Sequence, residues 1–316
     1  MKLSNRWYTG LAGLATAWAL VACGGGGSSA PAAPTPAPLV VTPVQGSPAS
    51  VGNVAIDGRN WINFRRSQIG VAALVQNVQV DRAAQSHSDY QKLNNTVSHN
   101  EDPKLPGFTG ADLAARLAAA GYTFATNANR AYGEVISATT NGSGFYMAEE
   151  LITAIYHRFV IFEPQFKEIG TGSATTGAGY TYFTSDFTAN NGYGPGLGLG
   201  VLVNWPYNGQ TMVTTNFFSD NESPDPVVGL NEVGYPVSVH GDITAVLTVS
   251  SFTIRPRGGA DLSVKLLKHA TDPETPNSAA AIVPLAPLNA ATTYDVSFVG
   301  TADGVPVVKT WSFTTK

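Results

Sequence analysis

Helical spacing stops near residue 159 and does not return. Before that point apolar residues recur at three- and four-residue steps. After it, the apolar runs alternate or are β-branched, and Gly, Pro and Asn separate them. Helices segregated ahead of strands predict an α+β fold, because a parallel α/β sheet needs the two to alternate. Residues 55–68 carry Trp61 and Phe64 three apart and stop at Gly70. Residues 80–93 place Ala83, Ala84, His87 and Tyr90 on one stripe. Thr109-Gly110-Ala111-Asp112 opens a third helix that Gly121 closes, and residues 147–159 predict a fourth, with Leu151, Ile155 and Phe159 in line. Strands follow at 168–172, 180–187, 197–204 and 211–217. Beyond the Pro-rich break at 221–226 they continue at 235–240, 245–255, 263–269, 293–300 and 307–314. About 90 residues of this rhythm predict a β-sandwich as a second unit.

The chain of 316 residues is long enough for two folded units. Lys2 and Arg6 precede an apolar run over residues 11–22 that is too short to span a bilayer. Cys23, the only cysteine, follows it, so no intrachain disulfide forms and stability rests on core burial. Leu20-Val21-Ala22-Cys23 resembles a bacterial lipobox, in which the cysteine is lipidated and becomes the first mature residue; the alternative is an ordinary signal peptide followed by a stray cysteine. Residues 1–22 are thus read as a signal peptide. Residues 23–50, rich in Gly, Ser, Ala and Pro, are a tether. Gly24 carries no inner-membrane retention signal, so the resemblance implies a lipid-anchored envelope protein, at the outer membrane if the source is Gram-negative. The formal charge of −4 becomes about −6 once the leader is removed, and no basic patch suggests nucleic acid as a partner.

Three of the five histidines, His87, His99 and His157, fall within residues 83–172, with Glu134 between them. Converging imidazoles and a carboxylate can ligate zinc or relay protons, yet no H-x-x-x-H or cysteine-pair spacing is present. His87 lies on the buried stripe and reads as a packing residue. His99, Glu134 and His157 read either as cleft residues or as internally bonded structural ones. Glu163 and Asp186 read as surface or capping residues. Ser86, Ser88 and Ser98 flank histidines in sequence, but immediate neighbours do not face each other, and no G-x-S-x-G elbow occurs. The run Gly194 to Gly200 lacks Lys-Ser or Lys-Thr and a following helix, and reads as a turn into a strand.

Residues 51–222 resemble the bacterial branch of the CAP superfamily, the cysteine-rich secretory, antigen 5 and pathogenesis-related proteins. The resemblance rests on the order of its motifs. A helix leads closely to His99, Gly133-Glu134-Val135 starts a strand, and a helix carries Tyr156-His157-Arg158. Phe162-Glu163-Pro164 and Ile169-Gly170-Thr171-Gly172 complete it. It implies an α-β-α sandwich whose cleft is lined by two histidines and two acidic residues, and His99, Glu134 and His157 take three of those positions. The fourth has no counterpart: Leu151-Ile152-Thr153-Ala154 occupies its place, with Glu149 and Glu150 nearby but out of register. Residues 223–316 resemble bacterial Ig-like domains through Pro287-Leu288, Thr292-Thr293-Tyr294 and Trp311-Ser312-Phe313-Thr314, which places Tyr294, Trp311 and Phe313 in a sandwich core. His240 and His269 show no partners in the sequence.

Three functions stay open on these residues. The first is a non-enzymatic binding protein for a small ligand, a lipid or a divalent cation, with His99 and His157 as candidate zinc ligands. The second is a metal-dependent peptide or ester hydrolase with Glu134 as general base. The third is a structural or adhesion protein of the envelope.

Overall fold

The structure is a computed structural model that describes residues 45–316. The signal segment 1–22, Cys23 and most of the tether lie outside the described residues. Helix α1 (Val54–Gln68) is followed by β1 (Val75–Gln76), α2 (Val78–Asn94), α3 (Leu113–Ala119) and β2 (Ala131–Thr139). Then come α4 (Gly144–Thr153), α5 (Ile155–Ile161), β3 (Glu168–Thr175) and β4 (Thr181–Ala189). Their sheet has the order β1-β3-β4-β2, antiparallel except for the β1–β3 pair. Asn53, Asn77, Asp112 and Ser143 cap the first four helices by accepting from N–H groups in the first turn.

The sheet is covered on both faces. Helix α2 lies directly on β3, which only glycine permits. A Cβ at Gly170 would come within 2.1 Å of the Val80 backbone, and one at Gly172 within 2.3 Å of Gln85. On the other face Thr171 donates to the Ala55 carbonyl of α1 at 2.8 Å, and α1 packs against α4. Strand alternation therefore sorts the side chains. Glu134 and its register partner Asp186 face α2 and α3. Ser137 and its partner Phe183 face α1 and α4.

The helix expected over residues 147–159 is two helices, broken at Ala154, whose ψ is 120°. The break leaves orphan carbonyls behind it and orphan N–H groups ahead of it. The buried Arg158 guanidinium donates to the carbonyls of Ile152 and Thr153. The Glu222 carboxylate accepts from the N–H groups of Ile155, Tyr156 and His157. Both ends are satisfied by side chains that hydrophobic periodicity does not reveal.

Strands β5 (Val203–Trp205), β6 (Gln210–Val213) and β7 (Asn216–Phe218) follow, then β8 (Glu232–Gly234) and β9 (Val237–His240). The last five are β10 (Leu247–Pro256), β11 (Val264–Lys268), β12 (Ala279–Pro284), β13 (Thr293–Ala302) and β14 (Val305–Thr315). Two four-stranded sheets, β10-β13-β14-β6 and β11-β12-β9-β5, share one apolar core, with β7 and β8 as a short separate ladder. Tyr294, Trp311 and Phe313 are buried in it. Strand β12 has no counterpart among the sequence-derived strands, because Ala279-Ala280-Ala281 carries no β-branched signal. Strand β5 starts later than residue 197, because Gly196, Gly198 and Gly200 take positive φ values that belong to a turn. Asp242 anchors that turn by accepting from the N–H groups of Leu197 and Gly198.

Pairing also crosses the break expected at 222/223. Strands β5 and β6 precede it but pair with β9 and β14 beyond it. Helix α5 packs onto this region: Phe162 meets Trp205 at 5.2 Å between ring centroids, and Arg158 donates to the Pro236 carbonyl at 2.7 Å. His240 is buried beside Phe159 and Phe162 and bonds Ser238 Oγ at 2.9 Å; burial and the Arg158 charge push its pKa down to about 3, so it stays neutral. His269 bonds the Thr275 carbonyl.

Candidate functional site

Each of three histidines binds a carboxylate through Nδ1, and the three pairs sit in different surroundings. His87 on α2 meets Glu101 at 2.8 Å, and its Nε2 meets the Ser98 carbonyl at 2.7 Å. Both side chains are fully buried. Glu101 also accepts from the N–H groups of Thr109 and Gly110. Burial opposes its ionisation, but the His87 and backbone bonds outweigh that and hold its pKa below the usual value. The pair staples the loop after α2 to the segment leading into α3, which agrees with a packing role for His87.

His99 follows α2 and bonds Glu134 Oε1 at 2.9 Å. The second oxygen of Glu134 accepts from Arg116 Nη2 at 2.5 Å, and Arg116 Nη1 donates to the His99 carbonyl. Burial opposes ionisation of Glu134, yet the Arg116 charge and the nearby imidazoles hold its pKa well below the carboxylate range. Across the strand pair lies Asp186. It is not at the surface, as its residue type suggests, but wholly buried, and among the described residues neither oxygen has a hydrogen-bond partner. Burial first and the Glu134 charge second push its pKa well above the usual value, while Arg116 opposes them. One cation thus acts on two carboxylates, and burial favours the neutral form of Asp186. The sequence reading missed both Arg116 and Asp186, although β2–β4 strand parity could have paired Asp186 with Glu134.

His157 opens α5 on the other side of the sheet. Its Nδ1 meets Glu222 Oε1 at 2.9 Å, and its ring remains 15% exposed. A cleft of about 600 Å³ runs along the edge of β2, with Ile136, Glu150, Leu151, His157, Tyr180 and Phe217 among its lining residues. Glu150 accepts from Ser137 Oγ at 2.9 Å. Burial raises its pKa, and the Ser137 bond and the nearby His157 only partly offset this. Glu149 turns the other way, toward Trp61 and Arg65, both of which donate to it.

His99 and Glu134 are therefore together, and His157 stands apart with Glu222. Among the described residues no three His, Cys, Asp or Glu side chains converge to hold a metal ion. Glu163, like Asp186, is buried rather than at the surface, and burial with the nearby Asp242 raises its pKa to about 8.

Residues 60–187 match the family model described as CAP, the cysteine-rich secretory protein family. This segment is similar to that family. Among solved structures, an extracellular protein containing an SCP domain from Bacillus anthracis str. Ames is 24% identical, with a TM-score of 0.36. The alignment covers 42% of this chain and 39% of that one, so the chain spans about two fifths of that protein's length. An outer surface protein from Borrelia burgdorferi is 14% identical, with a TM-score of 0.35, over 42% of this chain and 89% of that one. No curated protein sequence matches. Among the described residues, no helix is long and apolar enough to cross a membrane.

Proposed function

We propose that this protein is a lipid-anchored, extracytoplasmic CAP-domain protein that binds a small amphipathic ligand in the cleft along β2, without catalysing a reaction. The observation that carries this reading is the cleft itself. Its volume, about 600 Å³, suits a small molecule, and it combines apolar walls with polar side chains, Glu150, His157 and Lys316 among them. The hydrolytic alternative asks Glu134 to act as general base, but that residue is 3% exposed and both its oxygens are engaged. The zinc alternative asks His99 and His157 to share an ion, but each is bonded to a different glutamate. The structural or adhesive alternative gives the cleft no role.

A neutral fluorophore, 1-aminoanthracene, tests the reading. It should bind wild type saturably and lose that binding in Thr215→Trp, which fills the cleft. Equal binding by both proteins would remove the cleft from consideration. Membrane attachment rests on the Leu20-Val21-Ala22-Cys23 signal, and Cys23→Ser should release the protein from the membrane fraction.

A further inference from the structure

The family match ends at residue 187, but the cleft does not. Thr214, Thr215, Asn216, Phe217 and Asn221 form part of its wall. Glu222 follows the single 3-10 turn Ser219–Asn221, and its carboxylate is fully buried beneath His157. Three of its four hydrogen bonds are acceptances from the α5 backbone, and the fourth joins it to the imidazole Nδ1. With three backbone donors already on the carboxylate, the geometry favours Nδ1–H as the fourth donor, and in the neutral imidazole the lone pair then resides on Nε2. Nε2 makes no hydrogen bond among the described residues, while the ring lines the cleft.

We infer that Glu222 is a positioning residue that locks His157 as a hydrogen-bond acceptor in the cleft, which then selects an amphiphile with an uncharged, donating head such as a hydroxyl. This rests on the cleft being the ligand site. Glu150 lines the same wall and accepts from Ser137 Oγ, so a hydroxyl head that donates as well as accepts has partners on both side chains. A carboxylate head offers no proton to Nε2 and loses that bond. The segment past the family match therefore supplies the recognition chemistry of the cleft as well as part of its wall.

Two measurements on the full chain test this. Nitrogen-15 NMR of the imidazoles should show His157 protonated at Nδ1 in wild type and shifted to the Nε2–H form in Glu222→Ala. Finding Nε2–H in wild type, or an unchanged tautomer in folded Glu222→Ala, would overturn the inference. Glu222→Gln keeps one acceptor oxygen and should keep the wild-type tautomer, so the test survives if the alanine variant does not fold. Decanol and decanoate supply the binding arm. Wild type should prefer decanol by about tenfold, the worth of one retained hydrogen bond, and Glu222→Ala should lose the preference. An equal preference in wild type and folded Glu222→Ala counts against Glu222, as does a preference for decanoate. Binding of neither probe removes the cleft reading and leaves the tautomer to decide the role of Glu222.

Discussion

On the α2–α3 face of the β1-β3-β4-β2 sheet the ionisable groups bond one another, with Asp186 the exception. His87 bonds through both ring nitrogens, Glu134 through both oxygens, and Arg116 donates to Glu134 with no exposed surface. On the α4–α5 face His157 bonds through one nitrogen and lines a cleft. Both faces use the same unit, a histidine held at Nδ1 by a glutamate. What separates His87 from His157 is whether the second nitrogen and the surrounding space are taken; His99, on the first face, bonds a carboxylate through Nδ1 and keeps 22% of its side chain exposed. A histidine–carboxylate pair in a sequence therefore says little until both ring nitrogens are accounted for.

If the first face is structural, breaking it should cost the most. Arg116→Met leaves Glu134 and Asp186 buried with no cation, and should destabilise the fold by about 3–5 kcal/mol in urea unfolding. His87→Ala strands Glu101 and should cost about 3 kcal/mol while leaving 1-aminoanthracene binding unchanged. A ligand effect from His87→Ala, or none on stability, would collapse the distinction between the faces. Zinc titration sharpens it further: wild type, His99→Ala and His157→Ala should bind zinc equally weakly, because no shared ligand set exists among the described residues.

The fold was largely legible in the sequence. The change from period 3.6 to strand alternation located the helices and most strands, and the motif order located the segment that matches the CAP family model. The site was legible only in part. His157 stood in a recognisable motif, but its partner Glu222 lies 65 residues away in a segment that reads as a linker. Asp186 and Glu163 read as surface residues because carboxylates are rarely buried. Their burial depends on what packs over β4 and on the region that covers the end of α5, which no local pattern encodes. The division at 222/223 followed the Pro-rich break, whereas strands β5 and β6 pair across it.

Glu163 offers a pH test of the seam between the two regions. Its folded pKa, about 8, lies above the ordinary glutamate value of about 4.3. Between those values the native state keeps a proton that the unfolded chain has released. The unfolded chain then binds fewer protons, so stability should fall as pH rises from about 4.3 to about 8. Glu163→Gln should flatten that decline.

The smallest effect belongs to the cleft wall. Ser137→Ala removes the hydroxyl that donates to Glu150 and should cost about 1 kcal/mol. The same bond lowers the Glu150 pKa against the larger effect of burial, so its loss should raise that value further. A folded value raised above the unfolded one stabilises at low pH and is lost as pH rises through it. Ser137→Ala should therefore decline more steeply than wild type above the ordinary glutamate range, while decanol binding should hold. Decanol binding that weakens in Ser137→Ala while the fold is retained would mean that Glu150 meets the ligand as a carboxylate, and the head selected by the cleft would then be a cation rather than a hydroxyl.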